Sequence, residues 1–137
     1  MAFGGLNYLA VVVAAAVGFA FGAIYYMTLG KRWMAALGKT EDDLKGGARA
    51  TPFVVAIVAQ LVMAFVLAGT IGHLGPGQVT PLNGVISGAF AWAGFVATSL
   101  SVNYAFQKAK PSLSFIDGGH WLGVLLIQGL VIGLMGV

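Results

Sequence analysis

Four uninterrupted apolar runs, each near the length a helix needs to cross a bilayer, constrain this chain more than any other feature. A hydrocarbon core of about 30 Å takes roughly 20 apolar residues as helix. The runs Leu6–Tyr26, Phe53–Ile71, Leu82–Val102 and Phe115–Val137 meet that length, and Asp117 is the one Asp, Glu, Lys or Arg inside them. Pro52 and Pro81 stand just before the second and third runs, where a first-turn proline forfeits no hydrogen bond. The prediction is an all-α membrane protein, a single domain over residues 1–137 with four transmembrane helices paired as two hairpins. Composition agrees. Charged residues make up 8% of the chain, against about 25% in soluble domains, and the mean hydropathy is +0.93.

The loops predict an orientation. Lys31, Arg32, Lys39, Lys45 and Arg49 lie between the first two runs, and Lys108 and Lys110 between the last two. The 72–80 loop has no Lys or Arg, nor do the first five residues or the C-terminus. Basic loops stay cytoplasmic, which predicts a multi-pass protein of the bacterial inner membrane with both termini periplasmic. The first run is not read as a cleaved signal peptide, because its basic residues follow it. Tyr25, Tyr26, Trp33, Tyr104 and Trp121 then fall near the cytoplasmic interface, which suits amphipathic rings.

Within the Gly30–Pro52 loop, Trp33, Met34 and Leu37 share a helical face beside Lys31 and Arg32, predicting a short interfacial helix ended by Gly38. Thr40 followed by Glu41, Asp42 and Asp43 predicts an N-capped acidic turn, ended by Gly46-Gly47.

Lipid gives no hydrophobic drive between helices, so close backbone approach decides how spans associate. In the third run Gly84, Ser87, Ala91, Gly94, Thr98 and Ser101 recur at spacings of three and four, predicting a heptad seam of small residues. Gly94→Leu is accordingly expected to disrupt packing more than Leu125→Ala. The first run offers Ala10, Ala14, Gly18 and Gly22, the second Ala56, Gln60, Ala64 and Ala68. The fourth offers two glycine pairs, Gly119 with Gly123 and Gly129 with Gly133. Asn7, Gly18 and Phe19 recur at one offset as Asn83, Gly94 and Phe95, a faint sign of a parallel repeat.

Polar groups inside a span are candidate functional groups. Gln60 and Gln128 are the central ones, suited to interhelical hydrogen bonds or to lining a path. Asn103 and Tyr104 end the third run and suit interfacial anchoring. Asp117 and His120 open the fourth, separated by Gly118-Gly119. Asp117 is expected to accept from the N–H groups of the helix start and to hydrogen-bond His120, three residues on along one face. A protonatable pair serving transport is the sharper alternative, with a headgroup or partner contact as a further one. Asp117, His120, Gln60, Gln128, Asn103, Tyr25 and Tyr26 are thus the candidate ligand or partner residues. Gly18, Gly22, Gly84, Gly94, Gly129 and Gly133 are the candidate packing residues. Neither a metal nor another cofactor is expected: there is no cysteine, and the second histidine, His73, falls in the opposite loop. No nucleophile elbow, zincin or phosphate-loop motif appears, and no enzymatic activity is expected. The few basic residues sit where topology places them, so nucleic acid is not an expected partner.

Several pieces together resemble a family of small bacterial membrane proteins, domain-of-unknown-function family 1761. They are Asn7-Tyr8-Leu9-Ala10-Val11, Gly22-Ala23-Ile24-Tyr25-Tyr26, Gly30-Lys31-Arg32-Trp33-Met34, the stretch from Gly38 to Leu44, and Phe115-Ile116-Asp117-Gly118-Gly119. The family's pattern has an aromatic, often Tyr, where His120 stands, and Trp at Tyr25. The resemblance implies the fold and the membrane location, implies no activity, and implies that His120 is not a family-wide catalytic group. The expected role is a structural or accessory subunit of a membrane complex, or a homo-oligomer, with the bilayer and other subunits as partners. The alternatives are a small transporter or channel, and a quinone- or lipid-binding protein.

Overall fold

A computed structural model describes residues 5–45 and 50–136. These are helix and connecting turn throughout, with no strand among the described residues. The helices are α1 (Tyr8–Leu37), α2 (Glu41–Leu44), α3 (Thr51–Gly72), α4 (Pro81–Ala91), α5 (Thr98–Phe106) and α6 (Pro111–Met135). A π-helical turn, Trp92–Ala97, joins α4 to α5 without a break. Four helices are thus long and apolar enough to cross a membrane: α1, α3, the continuous Pro81–Phe106 and α6.

Local signals start and stop these helices. Asn7 caps α1, its Oδ1 accepting from the N–H of Ala10 at 3.1 Å. Gly38 ends α1 at φ 71°, a left-handed conformation open to glycine, while the N–H of Lys39 bonds to the Met34 carbonyl. Thr80 caps α4 through the N–H of Asn83, and a proline occupies the first turn of α3, α4 and α6. Thr40 caps α2 as expected, and the Asp43 side chain returns the bond to the Thr40 backbone, completing a capping box. Gly46, Gly47 and Arg49 lie outside the described residues, as does Val137, where the fourth span was expected to end.

Three boundaries depart from the sequence reading, among them the end of the third span, which runs to Phe106, four residues past Val102. The separate interfacial helix does not form, because Lys31–Leu37 are the last turns of α1 itself. Nothing between Tyr26 and Leu37 breaks a helix beyond Gly30, which costs about 1 kcal/mol against Ala. With 30 residues, α1 is about 45 Å long. The last helix begins at Pro111, four residues early, because Lys110 is extended and Pro111 is preorganised for a first turn.

Helix α6 is the centre of the bundle, antiparallel to α1 on one side and to α4 on the other, while α3 leans mainly on α1. Against α4 the backbones nearly touch. A Cβ on Gly84 would lie 1.9 Å from the carbonyl oxygen of Gly129, one on Gly88 2.4 Å from that of Leu125, and one on Gly133 2.3 Å from that of Thr80. No side chain fits at these three crossings, so Gly84, Gly129 and Gly133 are packing residues in this fold, and Gly88 joins them.

Gly94 does not: a Cβ there meets nothing within 4 Å, and the residue is exposed. The heptad seam is therefore corrected. The inward stripe of the third span runs every four residues, through Gly84, Gly88, Trp92, Val96, Leu100 and Tyr104: Gly84, Gly88, Leu100 and Tyr104 are each more buried than both flanking residues, and Trp92 and Val96 pack against the buried core. A four-residue stripe drifts by about 40° per step at 100° per residue, and the wider π turn takes up part of that drift. Gly94, Thr98 and Ser101 end on the outer face, where the two hydroxyls bond back to the carbonyls of Gly94 and Ala97. Gly18 and Gly94, equated by the faint repeat, thus have unlike surroundings.

The buried apolar cluster joins Val11, Ala14 and Ala15 of α1 to Ala64, Leu67, Ala68 and Ile71 of α3 and to Leu125 and Ile132 of α6. All the α3 members come from its C-terminal half. At its other end Phe53, Val54 and Val55 are more than half exposed. The helices α1 and α3 pack at one end and diverge toward the basic end, where Lys110 Nζ donates to the Ala35 carbonyl.

Candidate functional site

The divergence of α1 and α3 opens a groove of about 820 Å³, within the usual range for ligand pockets. Phe19, Ala23 and Met27 of α1 face Phe53, Val55, Ala56 and Ala59 of α3 across it. Its floor is polar, formed by Tyr26, Gln60, Tyr104, Asp117 and His120, with Trp33 and Trp121 beside them. The apolar walls continue into a smaller cavity of about 380 Å³ that shares Phe19 and Gln60.

Asp117 is 9% exposed and stands at the seventh position of α6, too deep to meet the unpaired N–H groups of the helix start. The expectation that it serves that end is corrected. Its oxygens accept instead from two phenols on other spans: Tyr26 Oη donates to Oδ1 at 2.6 Å and Tyr104 Oη to Oδ2 at 2.5 Å. One carboxylate thereby ties the first, third and fourth spans together. Two more bonds hold the helix backbone around it: Tyr25 Oη donates to the Ile116 carbonyl at 2.7 Å, and Trp92 Nε1 to the Gly118 carbonyl at 2.8 Å.

His120 makes no hydrogen bond to Asp117, which corrects the second half of that expectation. It is 7% exposed, and its buried Nδ1 has no partner among the described residues. The ring sits in an aromatic box, with centroids 4.5 Å from Trp121, 4.8 Å from Tyr26, 5.7 Å from Tyr25 and 6.3 Å from Phe21. Gly22 makes room for it, since a Cβ there would lie 2.7 Å from His120 Nε2. Gly18 does the same for a glutamine pair, lying where a Cβ would be 2.5 Å from Gln60 Oε1. The small stripe of α1 thus accommodates polar side chains rather than a bare backbone. Gln128 Nε2 donates to Gln60 Oε1 at 2.6 Å and to the Gln60 carbonyl at 3.3 Å, while Gln128 Oε1 is buried with no partner among the described residues.

Of the sequence candidates, Tyr25, Tyr26, Asp117 and His120 converge, with Gln60 at the groove's inner end and Gln128 behind it. Asn103 is exposed and lies outside the lining. Tyr104 and Trp92 were missed as site residues. Their signal was the four-residue stripe they share with Gly84 and Gly88, which the heptad reading hid. Among the described residues no three His, Asp or Glu side chains gather as metal ligands, and the one ion pair joins Lys45 to Asp42 at 3.9 Å on the surface.

Comparison with known proteins yields a family model, described as "Protein of unknown function (DUF1761)", that matches residues 9–133. No curated protein and no solved structure matches the chain.

Proposed function

Because the chain belongs to the DUF1761 family, a membership that carries no activity with it, we propose a role from the groove itself: this is a membrane protein that binds a small amphipathic molecule drawn from the bilayer. The observation that carries the reading is the groove between α1 and α3, apolar along its walls and polar at one end, where Asp117, Tyr26, Tyr104 and His120 meet. Such a shape takes an apolar body lengthwise and orients it by its head. Divergence of α1 and α3 leaves a way in from the side. The basic loops favour placing the polar end at the cytoplasmic face of a bacterial inner membrane, with both termini periplasmic.

The test is a groove-filling variant, Ala56→Phe, which leaves the Asp117 cluster untouched. Protein purified in mild detergent should carry small-molecule adducts in native mass spectra, and Ala56→Phe should lose them at unchanged thermal stability. Identical adducts on both proteins, or none on either, would remove the reading.

A second reading, the accessory subunit or homo-oligomer, is favoured by one observation: Gly94, Thr98 and Ser101 form an exposed small-residue face, the kind of surface on which spans associate. Gly94→Leu should then lower the native mass of the assembly without lowering the melting temperature of the chain. An unchanged assembly mass removes it.

A further inference from the structure

We propose that the molecule taken by the groove is a lipophilic cation, a protonated or quaternary amine with an apolar body, and that Asp117 is its counter-ion. The proposal rests on the groove being a binding site and names the chemistry of its occupant.

The charge argument comes first. Both oxygens of Asp117 accept hydrogen bonds, the arrangement of a carboxylate, and both donors are neutral phenols. Phenols stabilise the anion without cancelling its charge. No basic nitrogen lies within ion-pair distance of it among the described residues. Lys31, Arg32, Lys39 and Lys108 are exposed, and Lys110 donates to the Ala35 carbonyl. A carboxylate so far withdrawn from water is costly without a counter-charge, and a cation in the groove supplies it.

The walls suit the same occupant. Trp33, Tyr26 and Trp121 line the groove beside the carboxylate, and Tyr26 and Trp33 meet edge to face at 5.8 Å. Aromatic faces next to a carboxylate attract an ammonium head by cation–π contact and tolerate its methyl groups. Other amphiphiles fit less well. A fatty acid or phospholipid would bring an anion against Asp117. A quinone, being neutral, brings no charge to offset that of Asp117.

The experiment is a competition on the purified full chain in maltoside micelles. Dodecyltrimethylammonium and the uncharged dodecyldimethylphosphine oxide are added in equal amounts, and retained adducts are read by native mass spectrometry. The expected result for the wild type is one cation adduct per chain, preferred over the neutral amphiphile by about tenfold or more. Asp117→Asn should abolish the preference, and Ala56→Phe should remove both adducts. Equal retention of the two heads, with both lost in Ala56→Phe, would overturn the cation proposal and leave the groove as a binding site. No groove-dependent adduct of either kind would overturn both. Should Asp117→Asn fail to fold, the competition on the wild type decides by itself.

Discussion

At the residue scale, a single carboxylate organises the chain's polar interior. Asp117 collects Tyr26 from the first span and Tyr104 from the third, so Tyr26→Phe and Tyr104→Phe should each destabilise the protein. A hydrogen bond to a charged group contributes about 1.5–3 kcal/mol, and thermal melts in detergent check the loss. In an Asp117→Asn background the same changes should matter much less. The two glutamines make a second case. Gln60→Leu leaves the Gln128 amide with only the weaker bond to the Gln60 carbonyl. Side-chain bonds between spans average about 0.6 kcal/mol with a maximum near 1.7. The single variant should lose stability within that range, and the double variant Gln60→Leu/Gln128→Leu should lose less than the two singles together. These polar residues were visible in the sequence as lone interruptions of apolar runs. Their partners were not, because a hydrogen bond between spans depends on which faces meet.

At the element scale, the contact between α4 and α6 depends on having no side chains at its crossings. Gly84→Ala or Gly129→Ala sets a methyl against a carbonyl and should force the two helices apart, seen as a large drop in melting temperature. Gly94→Leu should leave the melt within about 0.5 kcal/mol of the wild type, and Leu125→Ala, at a residue 4% exposed, should cost about 2 kcal/mol or more. This reverses the order that the heptad spacing suggests. The small turn α2 gives a pH test. The backbone N–H and hydroxyl of Thr40 hydrogen-bond the Asp43 carboxylate and hold its pKa below the ordinary carboxylate value. A depressed folded value means that the cap's stabilisation is complete at neutral pH. It fades as pH falls through the ordinary carboxylate range toward that lower value. The protection of the Thr40 amide relative to its intrinsic exchange rate should fall over that acidic window, and that fall should be absent in Asp43→Asn.

At the scale of the whole molecule, the proposed orientation is open to direct labelling, because the chain has no cysteine. A cysteine at Gly77 should react with a membrane-impermeant maleimide from the periplasmic side, and one at Lys39 should not until the membrane is opened. The reverse pattern would invert the topology. Four spans, the capped turn after Gly38 and the proline starts at Pro52 and Pro81 were legible in the sequence, because hydropathy, capping and proline geometry act within a few residues; the start at Pro111 was not, because hydropathy begins only at Phe115. The run of α1 through Lys31–Leu37 was less so: hydropathy marks where lipid ends, whereas a helix ends only where its backbone ladder is broken. What only the tertiary structure decided was the meeting of faces. Gly94 looked like packing and lies outside, Tyr104 looked like an anchor and holds Asp117, and the stripe of α1 proved to be space for Gln60 and His120. Local chemistry determines the spans. A π turn of six residues shifts which faces converge, and with them the groove, through contacts between residues far apart in the chain.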